Sequence, residues 1–331
     1  MKLSTSMLVA KIIGGAAIVA AVAASGNLRA EEMITVDPGL PEYVKVEGVS
    51  GNLNSVGSDT LNNLMTFWAE GFRKVYPNVT IGIEGKGSST APPALIAGSA
   101  QLGPMSRAMK KTESVEFEGT YGYKPTALSV ALDSLAVFVN KDNPVEALSL
   151  TQIDSIFSKT YMRKGKNITT WGDVGVTSEA WASNPISLYG RNSASGTNGF
   201  FKEHVLKKGD YKDTVKEQPG SSSVVMGITE DRTGAGYSGI GFKTSGVKAV
   251  SVIGEDGKPY APTYENVKSG KYPIWRPLLI YVAKKPGKPL DPVVREFLKF
   301  VFSKPGQEIT VKDGFFPLSA DQAAKMRKLI E

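Results

Sequence analysis

Leu61, Leu64, Met65, Trp68, Phe72 and Val75 recur at the three- and four-residue spacing of one helix face, and Pro77-Asn78 closes that helix. Val79–Glu84 then alternates apolar and polar side chains, the period of a half-buried strand. A second helix is predicted after Ser88-Ser89-Thr90, with Pro92 and Pro93 tolerated in its first turn, where proline costs no hydrogen bond. Leu135–Val139 is apolar without interruption, as in a strand covered on both faces. Further along, the pattern predicts a short helix over Thr151–Lys159, a turn at Trp171-Gly172-Asp173, and a strand over Ile186–Tyr189 that runs into Gly190-Arg191. Asn198–Lys207 reads as helix, Gly239–Phe242, Ala249–Ile253 and Leu278–Ala283 as strands. Asp291-Pro292 opens a helix with Val293, Val294, Phe297, Leu298 and Val301 on one face.

Strands alternating with helices point to an α/β fold with mainly parallel sheets. The two most apolar strands, at 135–139 and 278–282, bracket the middle of the chain, so the simplest architecture makes them crossovers between two lobes. The expected organisation is residues 31–139 as the first part of lobe 1, 140–278 as lobe 2, and 279–331 as the C-terminal part of lobe 1. Stretches rich in Gly, Ser and Lys near 160–170, 207–223 and 254–271 are expected to be surface loops. Residues 1–30 are of a different kind. Lys2 and Lys11 precede the apolar run Ile12–Ala24, and Ala30 stands before the acidic pair Glu31-Glu32. That is the layout of a cleaved secretory signal, with the cut expected after Ala30 and Ala23 or Ala24 as alternatives.

Composition narrows the function. Removing residues 1–30 takes away Lys2, Lys11 and Arg29 and no acid, so the formal charge falls from +7 to +4. So mild a surplus, without an arginine stripe, argues against nucleic acid as a partner. The chain has no cysteine and one histidine, which removes a thiol-anchored lipoprotein and most zinc, iron–sulfur and thiol chemistry. His204 lies on a predicted helix face away from any Gly-x-Ser-x-Gly elbow and reads as a surface or packing residue. The expectation is therefore no catalysis, no metal and no organic cofactor.

Three segments place small hydroxylated or glycine residues directly ahead of a helix: Gly57-Ser58-Asp59-Thr60-Leu61, Gly85-Lys86-Gly87-Ser88-Ser89-Thr90 and Arg191-Asn192-Ser193-Ala194-Ser195-Gly196-Thr197. Each alone is an ordinary N-cap. Together, exposed N–H groups at helix starts, hydroxyl donors and one arginine fork make a site for an oxyanion. Lys86 beside the second segment reads as a solvated lysine.

The segment from Arg191 to Thr197 resembles the arginine–x–x–x–Ser–Gly–Thr anion loop of periplasmic phosphate-binding proteins. Gly87-Ser88-Ser89 and Ser58-Asp59-Thr60-Leu61 resemble that family's other two loops in the same order. Leu148–Ile153 followed by Trp171, and Tyr272-Pro273 through Arg276-Pro277-Leu278, add to the likeness over residues 50–318. The resemblance implies a two-lobed type II periplasmic binding protein that closes on inorganic phosphate and delivers it to an inner-membrane ABC permease, as an exported monomer. It further implies contacts from Thr60, Leu61, Ser88, Arg191, Ser195, Gly196 and Thr197, with Ser58, Asp59, Ser89, Ser106 and Arg107 as additional candidates. Other tetrahedral oxyanions, a phosphatase on the same fold, and a sensor are the alternatives. One departure stands out. Gly103-Pro104-Met105-Ser106-Arg107-Ala108 carries Arg107, or Ser106 after a one-residue shift, where the family places an aspartate that accepts phosphate's proton. Arginine cannot accept a hydrogen bond. Asp59 is expected to supply the acceptor and Arg107 to raise affinity for a dianion; the alternative is that Asp59 caps the first helix and Arg107 points outward.

Overall fold

The computed structural model describes residues 34–331, and the signal reading of residues 1–30 lies outside the described residues. Strand β1 (Gly51–Val56) pairs in parallel with β2 (Val79–Glu84) across α1 (Asn62–Val75), which buries Leu64, Met65, Trp68, Ala69 and Phe72. A 3-10 turn at Ser88–Thr90 leads into α2 (Ala91–Ile96), with proline in its first turn as the sequence implies. There follow β3 (Gly103–Met105), α3 (Lys111–Tyr121) and the 15-residue β4 (Thr126–Asn140). The middle of the chain forms β5 (Ala147–Ser149), α4 (Leu150–Phe157), α5 (Glu179–Ala182), β6 (Ser187–Arg191), α6 (Gly196–His204) and β7 (Lys216–Gln218). It continues through α7 (Ser221–Glu230), β8 (Gly234–Gly239), β9 (Val247–Ala249), β10 (Ser251–Ile253), β11 (Pro259–Tyr260) and α8 (Tyr264–Lys268). The chain closes with β12 (Trp275–Val282), α9 (Pro292–Val301), α10 (Lys304–Lys312) and α11 (Ala320–Ile330).

The result is a mixed α/β, two-lobed fold with helices flanking the sheets. Seven strands join in the order β3-β12-β4-β8-β6-β7, with β9 also on β4; β11-β10-β5 and β1-β2 form smaller sheets. Pairing is parallel at β1–β2, β5–β10, β6–β7 and β6–β8. Along β4 and β12 it is antiparallel, against the expectation of mainly parallel sheets. The route of the chain explains this. β4 lies against β12 over Thr126–Ser134 and against β8 over Leu135–Val139, so it carries the chain from the β3 side to the β8 side. β12 carries it back, and two neighbouring strands crossing in opposite senses must pair antiparallel. Leu128, Val130, Ala131, Leu135, Val137 and Val139 of β4 are all buried, which is why this strand reads as a nearly unbroken apolar run.

Other elements differ from the sequence expectation for identifiable reasons. β8 is Gly-Ala-Gly-Tyr-Ser-Gly, buried throughout but nearly free of large apolar side chains, and the expected strand at Gly239–Phe242 is instead its end plus a 3-10 turn. Two expected loops contain structure: β7 and the start of α7 lie within 207–223, and β11 and α8 within 254–271. Trp181 is buried, whereas Trp275 is 39% exposed. Buried Gln307 fastens α10 to its surroundings, donating to Val130 O at 3.1 Å and Val301 O at 2.8 Å and accepting from Leu318 N at 2.8 Å. Residues 34–331 form one compact unit. Among the described residues, no helix is long and apolar enough to cross a membrane.

Candidate functional site

The three hydroxyl-bearing segments meet at one place. Gly87 has φ of 127°, and a Cβ there would stand 2.6 Å from Ala194 O, so only glycine lets the second segment lie against the third. Ser89 fixes that contact twice, donating to Ala194 O through N at 3.2 Å and Oγ at 3.0 Å. A Cβ on Gly196 would run into Ser88 Oγ and reach 2.6 Å from Ser106 Oγ. The Thr60 and Thr197 hydroxyls are 3.0 Å apart. Ser58 Oγ donates to Ser106 Oγ at 3.0 Å, and the Ser88 and Ser106 hydroxyls are 3.3 Å apart. Ser58, Thr60, Ser88, Ser106, Ser195 and Thr197 are all buried.

Backbone and guanidinium N–H groups also constrain three of the hydroxyls. Ser195 is the N-cap of α6, and its Oγ accepts from Thr197 N at 3.1 Å and Asn198 N at 3.4 Å. Ser88 Oγ accepts from Ser106 N at 3.0 Å, and Thr197 Oγ1 accepts from Arg276 Nη2 at 3.0 Å. A hydroxyl has two lone pairs and one hydrogen. Two N–H groups take both lone pairs of Ser195 Oγ, so its hydrogen is left to donate, whereas Ser88 and Thr197 each accept one N–H and also face a neighbouring hydroxyl. Capping uses only the lone pairs of Ser195 Oγ and leaves its hydrogen free to donate.

Arg191 comes off the end of β6 and is 1% exposed. Its Nη1 donates to Ser221 Oγ at 2.6 Å and lies 3.1 Å from Asp59 Oδ2, and its Nη2 donates to Pro219 O at 3.0 Å. Nε is buried without a hydrogen-bond partner. Burial pulls the guanidinium below its ordinary pKa, opposed by the Asp59 charge, with Arg276 adding to the lowering. Behind it, the Phe201 and Tyr237 rings stack at 3.9 Å, and burial pushes the Tyr237 hydroxyl up to about 12. Asp59 Oδ2 also accepts from Ser221 N at 2.9 Å and Ser221 Oγ at 3.0 Å, so Asp59 ties the first segment to α7 rather than capping its own turn.

Arg107 lies against Gly199 of α6, with its terminal nitrogens turned to Glu113. Its Nη1 and Nη2 form a fork on Glu113 at 2.8 and 2.7 Å, at the start of α3. Burial alone would raise the Glu113 carboxyl, but hydrogen bonds from Arg107 and the Lys110 N–H hold it below its usual value. Leu61 N donates to Ser58 O at 3.2 Å within a 3-10 turn over Asp59–Leu61. Lys86 is largely exposed and paired with Glu84 at 2.9 Å. His204 is exposed on α6, with its ring 4.2 Å from Phe200.

Sequence reasoning passed over Ser221, Asp133 and Arg276. Ser221 lies in a stretch read as loop. Asp133 sits inside an apolar strand, and Arg276 was noticed only as part of a likeness. In the structure, Arg276 and Asp133 are both buried and directly opposed across β12 and β4, beside Thr197.

Comparison with known proteins gives the family. The sequence profile of the PBP superfamily domain matches residues 45–305. The phosphate-binding protein PstS of Pseudomonas aeruginosa is 54% identical over 307 residues, covering 92% of this chain and 95% of that one. The chain belongs to the phosphate-binding protein family of the PBP superfamily. Staphylococcus haemolyticus PstS is 30% identical, with 84% of each chain covered. Among solved structures, a phosphate ABC transporter substrate-binding protein from Clostridium perfringens with bound phosphate shares 26% identity at a TM-score of 0.68, covering 81% of this chain and all of that one. A phosphate transport receptor from Vibrio cholerae, 23% identical with a TM-score of 0.63, shares the fold.

Proposed function

We propose that this protein captures inorganic phosphate outside the cytoplasm and delivers it to an inner-membrane ABC permease. The observation that carries this reading is the meeting of Thr60, Ser88, Ser195, Gly196 and Thr197 at one point, with Arg191 adjoining. Such a cluster holds an oxyanion by directed donors and one buried charge, without needing a large counter-charge. The 54% identical P. aeruginosa protein, named for phosphate binding, supports the same ligand. Residues 31–139 with 279–331, and residues 140–278, are the two lobes that close on the ion. Removal of residues 1–30 on export to the periplasm, a monomeric state and the absence of catalysis complete the reading.

A set of hydroxyls that only donate would by itself favour a fully ionised oxyanion such as sulfate, because phosphate's remaining P–OH needs an acceptor. Asp59 is that acceptor in this reading. The contacts it makes to Arg191 and Ser221 all fall on Oδ2, which leaves Oδ1 for the P–OH. The fork of Arg107 on Glu113 makes it a support for the Ser106 segment. Calorimetry of the ligand-stripped protein with phosphate, sulfate, arsenate and molybdate tests the reading. Phosphate is expected to bind most tightly, and Asp59→Ala is expected to erase its advantage over sulfate. No heat with any oxyanion refutes the function, while an unchanged preference in Asp59→Ala refutes only the role of Asp59.

A further inference from the structure

Arg276 lies on the strand that carries the chain back between the lobes, and all its hydrogen bonds run to buried groups. Nε and Nη2 donate to Asp133 Oδ2 at 2.9 and 2.7 Å, Nη1 donates to Ser106 O at 2.8 Å, and Nη2 also donates to Thr197 Oγ1 at 3.0 Å. The other carboxylate oxygen, Asp133 Oδ1, accepts from Ile240 N at 3.2 Å, just beyond the end of β8. Arg276 is 1% exposed and Asp133 fully buried, and the guanidinium lies over the Phe200 ring at 5.4 Å. One side chain thus touches the Ser106 segment, the Ser-Gly-Thr loop and both crossover strands.

We propose that Arg276 is a positioning residue for the anion site: anchored by Asp133, it makes the Thr197 oxygen an acceptor, so that the Thr197 hydrogen is available to the ligand, while holding the Ser106 and Thr197 segments together. The inference rests on the function proposed above and assigns a residue beyond the expected contacts. Its basis is the one-way chemistry of the guanidinium. Arginine has five N–H donors and no acceptor, so in the contact with Nη2 the Thr197 oxygen must accept. The Thr197 hydrogen must then go elsewhere, toward Thr60 Oγ1 or a bound oxyanion. A lysine could supply charge, but it lacks a planar fork to reach Asp133, Ser106 and Thr197 together. Asp133 neutralises the buried charge, which leaves Arg276 an orienting role rather than a purely attractive one.

The test is a double-mutant cycle in phosphate affinity, measured by calorimetry on wild type, Arg276→Gln, Thr197→Val and the double variant, with melting curves on each. Arg276→Gln is expected to weaken phosphate binding on the order of 10- to 100-fold, the loss of a charge-assisted hydrogen bond. In the Thr197→Val background the same change is expected to cost less than about threefold, because the hydroxyl it orients is gone. Equal losses in both backgrounds overturn the proposal, since a merely structural arginine would act without regard to the Thr197 hydroxyl. Because Arg276→Gln leaves Asp133 unpaired, the neutral pair Asp133→Asn with Arg276→Gln is measured alongside; if it folds and binds phosphate as wild type does, the proposal also fails. A wild type that gives no heat with phosphate refutes the function itself, and that result is read from the first arm alone.

Discussion

Replacing Gly196 with alanine separates the demands of the fold from those of the site. Gly196 is the first residue of α6, where alanine costs the helix nothing and is a better helix former than glycine. The added methyl would, however, collide with Ser88 Oγ, stand 2.6 Å from Ser106 Oγ and stand 2.8 Å from Ser88 Cβ. These are atoms of the opposing segments, which the proposed lobe boundaries assign to different lobes, so on that reading the clash falls on their approach rather than on the core of either. Overpacking of one methyl at a fitted contact costs about 1–3 kcal/mol. At about 1.4 kcal/mol per tenfold, phosphate affinity is expected to fall roughly 5- to 150-fold. Calorimetry measures that loss, and a melting curve of the ligand-free variant is expected to stay within about 2 °C of wild type, because opening the lobes relieves the strain. Phosphate binding within a factor of three of wild type would show that the Ser-Gly-Thr loop and Ser88 need not approach closely, and the reasoning from their convergence would fail.

Arg191→Lys keeps the charge but loses the fork that reaches Ser221, Pro219 and Asp59, so phosphate affinity is expected to drop about 10- to 100-fold by calorimetry with little change in its dependence on pH. Asp313, at the C-terminal end of α10, has a carboxyl raised to about 7 by burial and also sits at the unfavourable end of a helix dipole. Between its unfolded value near 4 and about 7 the folded state binds the extra proton, so this group's contribution to stability is full at low pH and is lost as pH rises through that window. Asp313→Asn is therefore expected to raise the melting temperature by about 2 °C at pH 8 and to leave it unchanged at pH 4, as scanning calorimetry at both values would record; an equal shift at both values would refute the titration.

Periodic elements with a strong amphipathic face were legible because their physics is local. In α1, Leu64, Met65, Trp68 and Phe72 share one side, and α9 repeats the arrangement with Val293, Val294, Phe297 and Leu298. α3, by contrast, buries only Phe117, and β8 buries glycines and a serine, so neither stands out from a polar or glycine-rich loop. The three hydroxyl-bearing segments were also visible, since a helix start with hydroxyls and glycine is a short-range signature.

By itself the sequence determined the α/β class, the three hydroxyl segments and the arginine that accompanies them, all of which depend on residues close together in the chain. The tertiary structure alone decided the antiparallel pairing of β4 with β12, because strand sense there follows from a chain that crosses between lobes and returns some 140 residues later. It alone decided that Arg107 faces Glu113, that Asp59 meets Arg191 and Ser221, and that Arg276 and Asp133 stand beside Thr197. A guanidinium can turn to any carboxylate within reach, and only the packing of distant segments determines which one is there.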